Sequence, residues 1–208
     1  MNDLDRGNDI VPSTNYSAQI KQFENGLLDF IAQYGLPTNQ VLVKVSERLK
    51  VFSNVEGVME RIDLEQRRRS IYISKFIAAA ASGLFDAALN YLWDETIYEL
   101  RRRVAQYDLD YFYDAAVGSN VDKRKNLKTE EDLVKIDDSS LIKGSYEIGL
   151  VSDLGFKHLD RIRYMRNWAS AAHPNQNEIN GLQLIEMLDT CVVEVITLPL
   201  SNIVTEIK

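Results

Sequence analysis

The chain has 208 residues, 45% of them hydrophobic and 26% charged, with a formal net charge of −7. That composition suits a globular fold with a substantial core, and the negative balance argues against non-specific coating of nucleic acid, whose affinity rises with the number of phosphates neutralised. No apolar run approaches membrane-spanning length, Met1-Asn2-Asp3-Leu4-Asp5 is not a signal peptide, and the single Cys191 rules out an internal disulfide and fits a reducing, cytoplasmic location.

The first 15 or so residues are polar, contain Gly7 and Pro12, and are expected to form a mobile tail. Ile20, Phe23, Leu27, Phe30 and Ile31 recur at helical spacing and predict a first helix over 17–34, stopped by Gly35 and Pro37. Thr38 or Asn39 can cap a second helix to about residue 52, carrying Val41, Val45 and Leu49, with a short third after Ser53-Asn54. These pieces, residues 1–62, read as an α-helical extension packed on a main domain of residues 63–208.

From Asp63 to Gln106 there is no proline and one glycine, Gly83, which predicts two long helices or one broken at Ser82-Gly83. Ala78 to Ala81 offer small side chains for close approach of another helix. Leu84, Ala87, Ala88, Tyr91, Leu92, Thr96 and Leu100 continue a wide apolar face. The arginine triplets 67–69 and 101–103, interleaved with acids, read as solvated helix faces, with RNA-binding patches as the alternative. An aromatic short helix should cover 107–116.

The stretch 117–128 then holds Gly118, Ser119, Asn120 and the cations Lys123, Arg124, Lys125 and Lys128, a candidate binding loop. Thr129 followed by three acids has the form of a helix start, because a cap oxygen and negative charge suit the N-terminal dipole. Asp138-Ser139 or Ser140 restarts a helix to about residue 151, and Ser152-Asp153 opens the next. Asn175 with Glu178 resembles a capping box for a last helix whose core face is Ile179, Leu182, Ile185, Leu188, Val192 and Val195, and Pro199 bends or ends it. No strand alternation stands out, so the fold class is all-α.

The chemistry concentrates in residues 161–174, the segment Arg-Ile-Arg-Tyr-Met-Arg-Asn-Trp-Ala-Ser-Ala-Ala-His-Pro. On a helix, Ile162, Met165 and Ala169 share a core-facing stripe, Asp160, Arg163, Asn167 and Ser170 the neighbouring one, and Arg166 lies at the border. Pro174 pushes His173 out of the helical region, ending the helix at about residue 172. Arg166 and His173 then share an azimuth roughly 10 Å apart along the axis, a gap that admits a phosphodiester. The alternatives are an ion pair from Arg166 to Glu186 or Asp189, and a His173 that merely caps carbonyls.

Arg-Asn followed by a short spacer and His, between two helices of a small all-α domain, resembles the signature of the HEPN superfamily. Arg166, Asn167 and His173 fill its places, with six residues between Arg166 and His173, and the resemblance covers roughly residue 64 to the C-terminus. It implies a HEPN-like helical bundle with an N-terminal helical extension, often dimeric. Many members are metal-independent endoribonucleases of toxin–antitoxin or anti-phage systems; others are catalytically silent binding or dimerisation modules.

On the ribonuclease reading no cofactor is needed, RNA is the substrate, and a cognate antitoxin or further domains are possible partners. Arg166 binds the non-bridging oxygens of the scissile phosphate. Neutral His173 takes the 2′-hydroxyl proton as general base, and Asn167 positions its neighbours. Arg163 and Ser170 make further RNA contacts, with Lys123, Arg124 and Lys125 of the loop beside them. In-line attack by the 2′-oxygen needs a second group to protonate the leaving 5′-oxygen, which a two-fold homodimer supplies as a second His173. His158 reads as structural and Trp168 as core or interface. Two histidines and one cysteine make no zinc site, no Gly-rich phosphate loop is present, and Cys191, mid-helix among apolar residues, reads as buried.

Overall fold

The computed structural model describes residues 13–118, 120–169 and 179–198, with the backbone alone at 13–16 and 169. Among these every regular element is helical, so the all-α expectation holds. The helices are α1 (Ser13–Gln33), α2 (Val45–Met59), α3 (Leu64–Arg69), α4 (Ile71–Ser82), α5 (Phe85–Val104), α6 (Leu109–Val117) and α7 (Val121–Arg124). A 3₁₀ turn (Glu130–Lys135) leads to α8 (Asp138–Glu147), α9 (Asp153–Ala169) and α10 (Gly181–Cys191), which runs on into a π turn (Val192–Ile196). None of the described helices is long and apolar enough to cross a membrane.

The centre of the fold is α5. Its Ala88, Leu89, Leu92, Trp93, Ile97 and Leu100 are buried, and it packs on α4, α9, α10 and the π turn. The α4–α5 pair is the most extensive, because Ala79 and Ala80 present so little side chain that the backbones approach closely. Gly83 makes the break between them at φ 85°, a left-handed cap that favours glycine. Space reinforces the choice: a Cβ there would lie 2.6 Å from Nε of Arg48.

Arg48 has no exposed surface. Its Nε donates to the Val43 carbonyl at 2.7 Å and its Nη2 to Glu24 of α1 at 2.6 Å, while the Val43 N–H donates to Gly83 O at 2.9 Å. One buried guanidinium thus ties α1 and the α4–α5 corner to α2. The expected second helix differs from the observed one in a physical way. It starts at Val45, after Lys44 rather than Thr38 or Asn39, and runs unbroken through Ser53-Asn54. Ser53 Oγ and Asn54 Nδ2 donate to the carbonyls of Leu49 and Lys50, one turn back, so two cap-forming residues are absorbed into the helix. Val51 and Val58 of α2 lie in the same buried cluster as α4, α5 and α10.

The stripe expected to bury α1 is only partly covered: Ile20 is buried and Leu27 and Ile31 are half-buried, but Phe23 and Phe30 are more than half exposed. At the other end, α10 begins at Gly181 with Asn180 as its cap, and Asn180 and Gln183 form the reciprocal capping box. Asn175 and Glu178, the residues expected to do this, lie outside the described residues, as does Pro199. Gly181 sits on α2: its N–H donates to Glu47 Oε2 at 2.9 Å, and a Cβ would run into the Glu47 carbonyl. Ile179, Leu188, Val192 and Val195 are buried as expected, whereas Leu182 is exposed and Leu184 takes the core position.

Candidate functional site

Ser152 accepts the Gly155 N–H through its Oγ at 2.9 Å and starts α9 where the sequence places the start. Leu159 and Ile162 are buried and Met165 packs on the core, which fixes the rotation of the helix and hence the direction of its arginines. Those arginines have different partners. Arg161 makes two hydrogen bonds to Glu186 of α10, at 2.9 and 3.3 Å. Arg163 grips Asp160 with Nε and Nη2, at 3.0 and 2.7 Å. Arg166 has no carboxylate within ion-pair distance among the described residues. Its Nε donates to Asn90 Oδ1 at 2.8 Å and its Nη1 to Asn167 Oδ1 at 3.3 Å.

Asn90 is itself anchored, since its Nδ2 donates to Asp86 O within α5 at 3.0 Å. The two amides therefore aim the Arg166 guanidinium without cancelling its charge. The expected alternative partners are engaged elsewhere, Glu186 with Arg161 and Asp189 with Arg61 at 3.3 Å. A pre-aimed, uncancelled guanidinium is what an anion site requires.

Two clefts meet at this residue. One, of about 550 Å³, is lined by Arg163, Arg166 and Asn167 together with Arg101, Lys135 and Asp137. The other, of about 370 Å³, lies between α4, α5 and the start of α8 and includes Tyr72, Trp93, Asp94, Tyr98, Asp138 and again Arg101 and Arg166. At its floor the indole Nε1 of buried Trp93 donates to Asp138 Oδ2 at 2.7 Å. Arg101 stands 3.9 Å from Asp138 and has a buried Nε without a hydrogen-bond partner. Burial pushes the Asp94 carboxyl above its ordinary range, while the Arg166 charge pulls it back down.

Of the residues singled out in the sequence, Arg163, Arg166 and Asn167 thus share one cleft, while Ser170 and His173 lie outside the described residues. Lys123 lines a smaller hollow of about 180 Å³ that shares Lys135, Ile136 and Asp137 with the larger cleft. Arg124 turns away from it. Its guanidinium bonds Asp114 at 2.5 Å, Asp110 at 2.9 Å and the Leu127 carbonyl at 2.7 Å, and lies over the Tyr113 ring, which is the pattern of a loop fastener. Lys125 is exposed and 3.4 Å from Asp122.

Asp94, Tyr98 and Asn90 were not legible as site residues, and Arg101 only through its triplet, whose alternative reading is an RNA-binding patch. The available signal was that Asp94, Tyr98 and Arg101, at i, i+4 and i+7 on α5, form one polar stripe beside the apolar one. The triplet containing Arg101 is also not a solvated face throughout. Arg103 is buried, bonded to Glu99 at 2.6 Å and to the carbonyls of Ile196 and Leu198 at 2.7 and 2.9 Å, so it closes the end of the π turn. Cys191 is fully buried, which pushes its thiol up to about 12. Among the described residues no group of His, Cys, Asp or Glu side chains is arranged to hold a metal ion. Comparison with known proteins finds no matching family model, curated protein or solved structure.

Proposed function

We propose that the chain is a HEPN-like, metal-independent endoribonuclease acting as a homodimer, with the Arg166 cleft as its phosphate site. The observation that carries this reading is the partner chemistry of Arg166: two amides aim it and, among the described residues, no carboxylate stands within ion-pair distance of it. Arg101 on the same walls adds positive charge along the path of a strand, whereas Lys135 and Arg163 there are paired with Asp132 and Asp160. The role of His173 rests on its sequence spacing from Arg166 and on the HEPN resemblance.

In this mechanism His173 removes the ribose 2′-hydroxyl proton, and the 2′-oxygen attacks the adjacent phosphorus. Arg166 holds the phosphoryl oxygens as their charge grows. The bond to the 5′-oxygen breaks, that oxygen takes a proton from the second His173 of the dimer, and a 2′,3′-cyclic phosphate remains.

Labelled RNA incubated with the full chain in EDTA tests the reading. Cutting that leaves cyclic phosphate ends is expected, with losses of about 100-fold or more for Arg166→Ala and His173→Ala. Cutting unchanged in His173→Ala, or none by the wild type at high protein concentration, overturns it. Asp94, Asp137 and Asp138 on the cleft walls favour a second reading, a catalytically silent HEPN-like module, and absence of cutting with retained RNA binding would select it.

A further inference from the structure

The smaller cleft carries features that a bare phosphate site does not need. It adjoins Arg166, yet its α5 wall offers a carboxylate and an aromatic ring one turn apart, Asp94 and Tyr98. Of its two carboxylates, Asp138 is committed to the Trp93 indole. Asp94 is half-buried, and only burial and neighbouring charges act on it, with no hydrogen bond among the described residues. Tyr98 is 55% exposed, so its ring is open to a stacking partner. One turn further along α5 stands Arg101, whose buried Nε lacks a partner.

A carboxylate with two free acceptor oxygens is matched by two adjacent N–H donors. Among the standard RNA bases only guanine presents such a pair on its Watson–Crick edge, the N1–H and the N2 amino group; adenine and cytosine present an amino group beside an acceptor, and uracil an N–H between two acceptors. We propose that this cleft takes a guanine base of the RNA strand, with Asp94 accepting from N1–H and N2, Tyr98 stacked on the base, and Arg101 and Arg166 receiving the adjoining phosphates. The assignment rests on the RNA reading of the Arg166 cleft and adds base selectivity to it. The volume of about 370 Å³ lies within the range of small-molecule sites. Stacking on tyrosine is tolerant of sequence, so selectivity falls to Asp94. With any base lacking paired donors, that carboxylate loses water at both oxygens and regains at most one hydrogen bond.

Calorimetric titration of the full chain with guanosine, inosine and adenosine 5′-monophosphates tests this. Guanosine monophosphate is expected to bind at least about tenfold more tightly than adenosine monophosphate, with the inosine form, which lacks N2, between them. Asp94→Asn should abolish the preference, and Tyr98→Ala should weaken every nucleotide severalfold. Equal binding of the guanosine and adenosine forms, no binding of the guanosine form at millimolar concentration, or a preference that survives Asp94→Asn overturns the assignment. The two proposals fail separately. Selective guanosine monophosphate binding by a chain that cuts no RNA keeps the base site and discards the ribonuclease. Cutting without preference for guanosine, combined with equal nucleotide binding, does the reverse.

Discussion

Arg103 and Arg166 belong to two helices that pack together, α5 and α9, and they serve opposite ends. Arg103 is buried against the Glu99 carboxylate, with its remaining donors on the backbone carbonyls of Glu99, Ile196 and Leu198. Its charge is cancelled and its side chain closes the end of the chain's last described turn. Arg166 is partly open and held by side-chain amides, which fix direction but carry no opposing charge. Partner type, more than exposure alone, separates an arginine that builds the fold from one that can receive a ligand. Arg163 makes the point from the other side: it lines the same cleft as Arg166, yet Asp160 already occupies its fork.

The contrast breaks most visibly at Arg103. Arg103→Ala leaves the buried Glu99 carboxylate with Arg102 alone, at 2.7 Å, and strips the donors from the Ile196 and Leu198 carbonyls, and is expected to cost about 2–4 kcal/mol in urea unfolding. A loss under about 1 kcal/mol would mean that the pair is structurally idle. Gly83→Ala sharpens the comparison at the other buried arginine. The substitution forces a side chain into left-handed backbone and towards the Arg48 guanidinium, for an expected loss of about 1–3 kcal/mol, read from the same unfolding curves. The smallest effect on stability belongs to Arg166→Ala, under about 1 kcal/mol. RNA cutting or binding should nevertheless collapse in that variant, and a stability loss as large as that of Arg103→Ala would erase the distinction.

The helical class was legible because apolar residues recur at three- and four-residue spacing with no strand-like alternation. Local punctuation was legible where it is chemically strong: Gly83 breaks α4 from α5, Ser152 starts α9, and Thr129 with Asp132 forms a capping box at the 3₁₀ turn. It misled where a residue has two uses. Ser53 and Asn54 cap nothing because their side chains turn back onto their own helix. An apolar stripe shows that burial is favourable without saying that the fold provides a cover, and Phe23 and Phe30 lie on such a partly covered stripe.

At the site, the rotation of α9 and the shared cleft of Arg163, Arg166 and Asn167 follow from its own pattern. Asn90, Asp94 and Tyr98 did not emerge, and Arg101 only as one of a triplet, because they reach the cleft through the crossing of α5 and α9, a contact between residues far apart in the chain. The charge of Arg103 gave no hint of its burial, since the Ile196 and Leu198 carbonyls that enclose it lie more than ninety positions away.

Cys191, the chain's single cysteine, faces the interior where α10 meets α5, and the elevated pKa of its thiol leaves almost no thiolate at neutral pH. Alkylation of that sulfur must wait for the helices to part, so its labelling rate becomes an intrinsic clock for opening of the interior. No probe has to be engineered: mass spectrometry after exposure to iodoacetamide would report, variant by variant, how often the molecule comes apart.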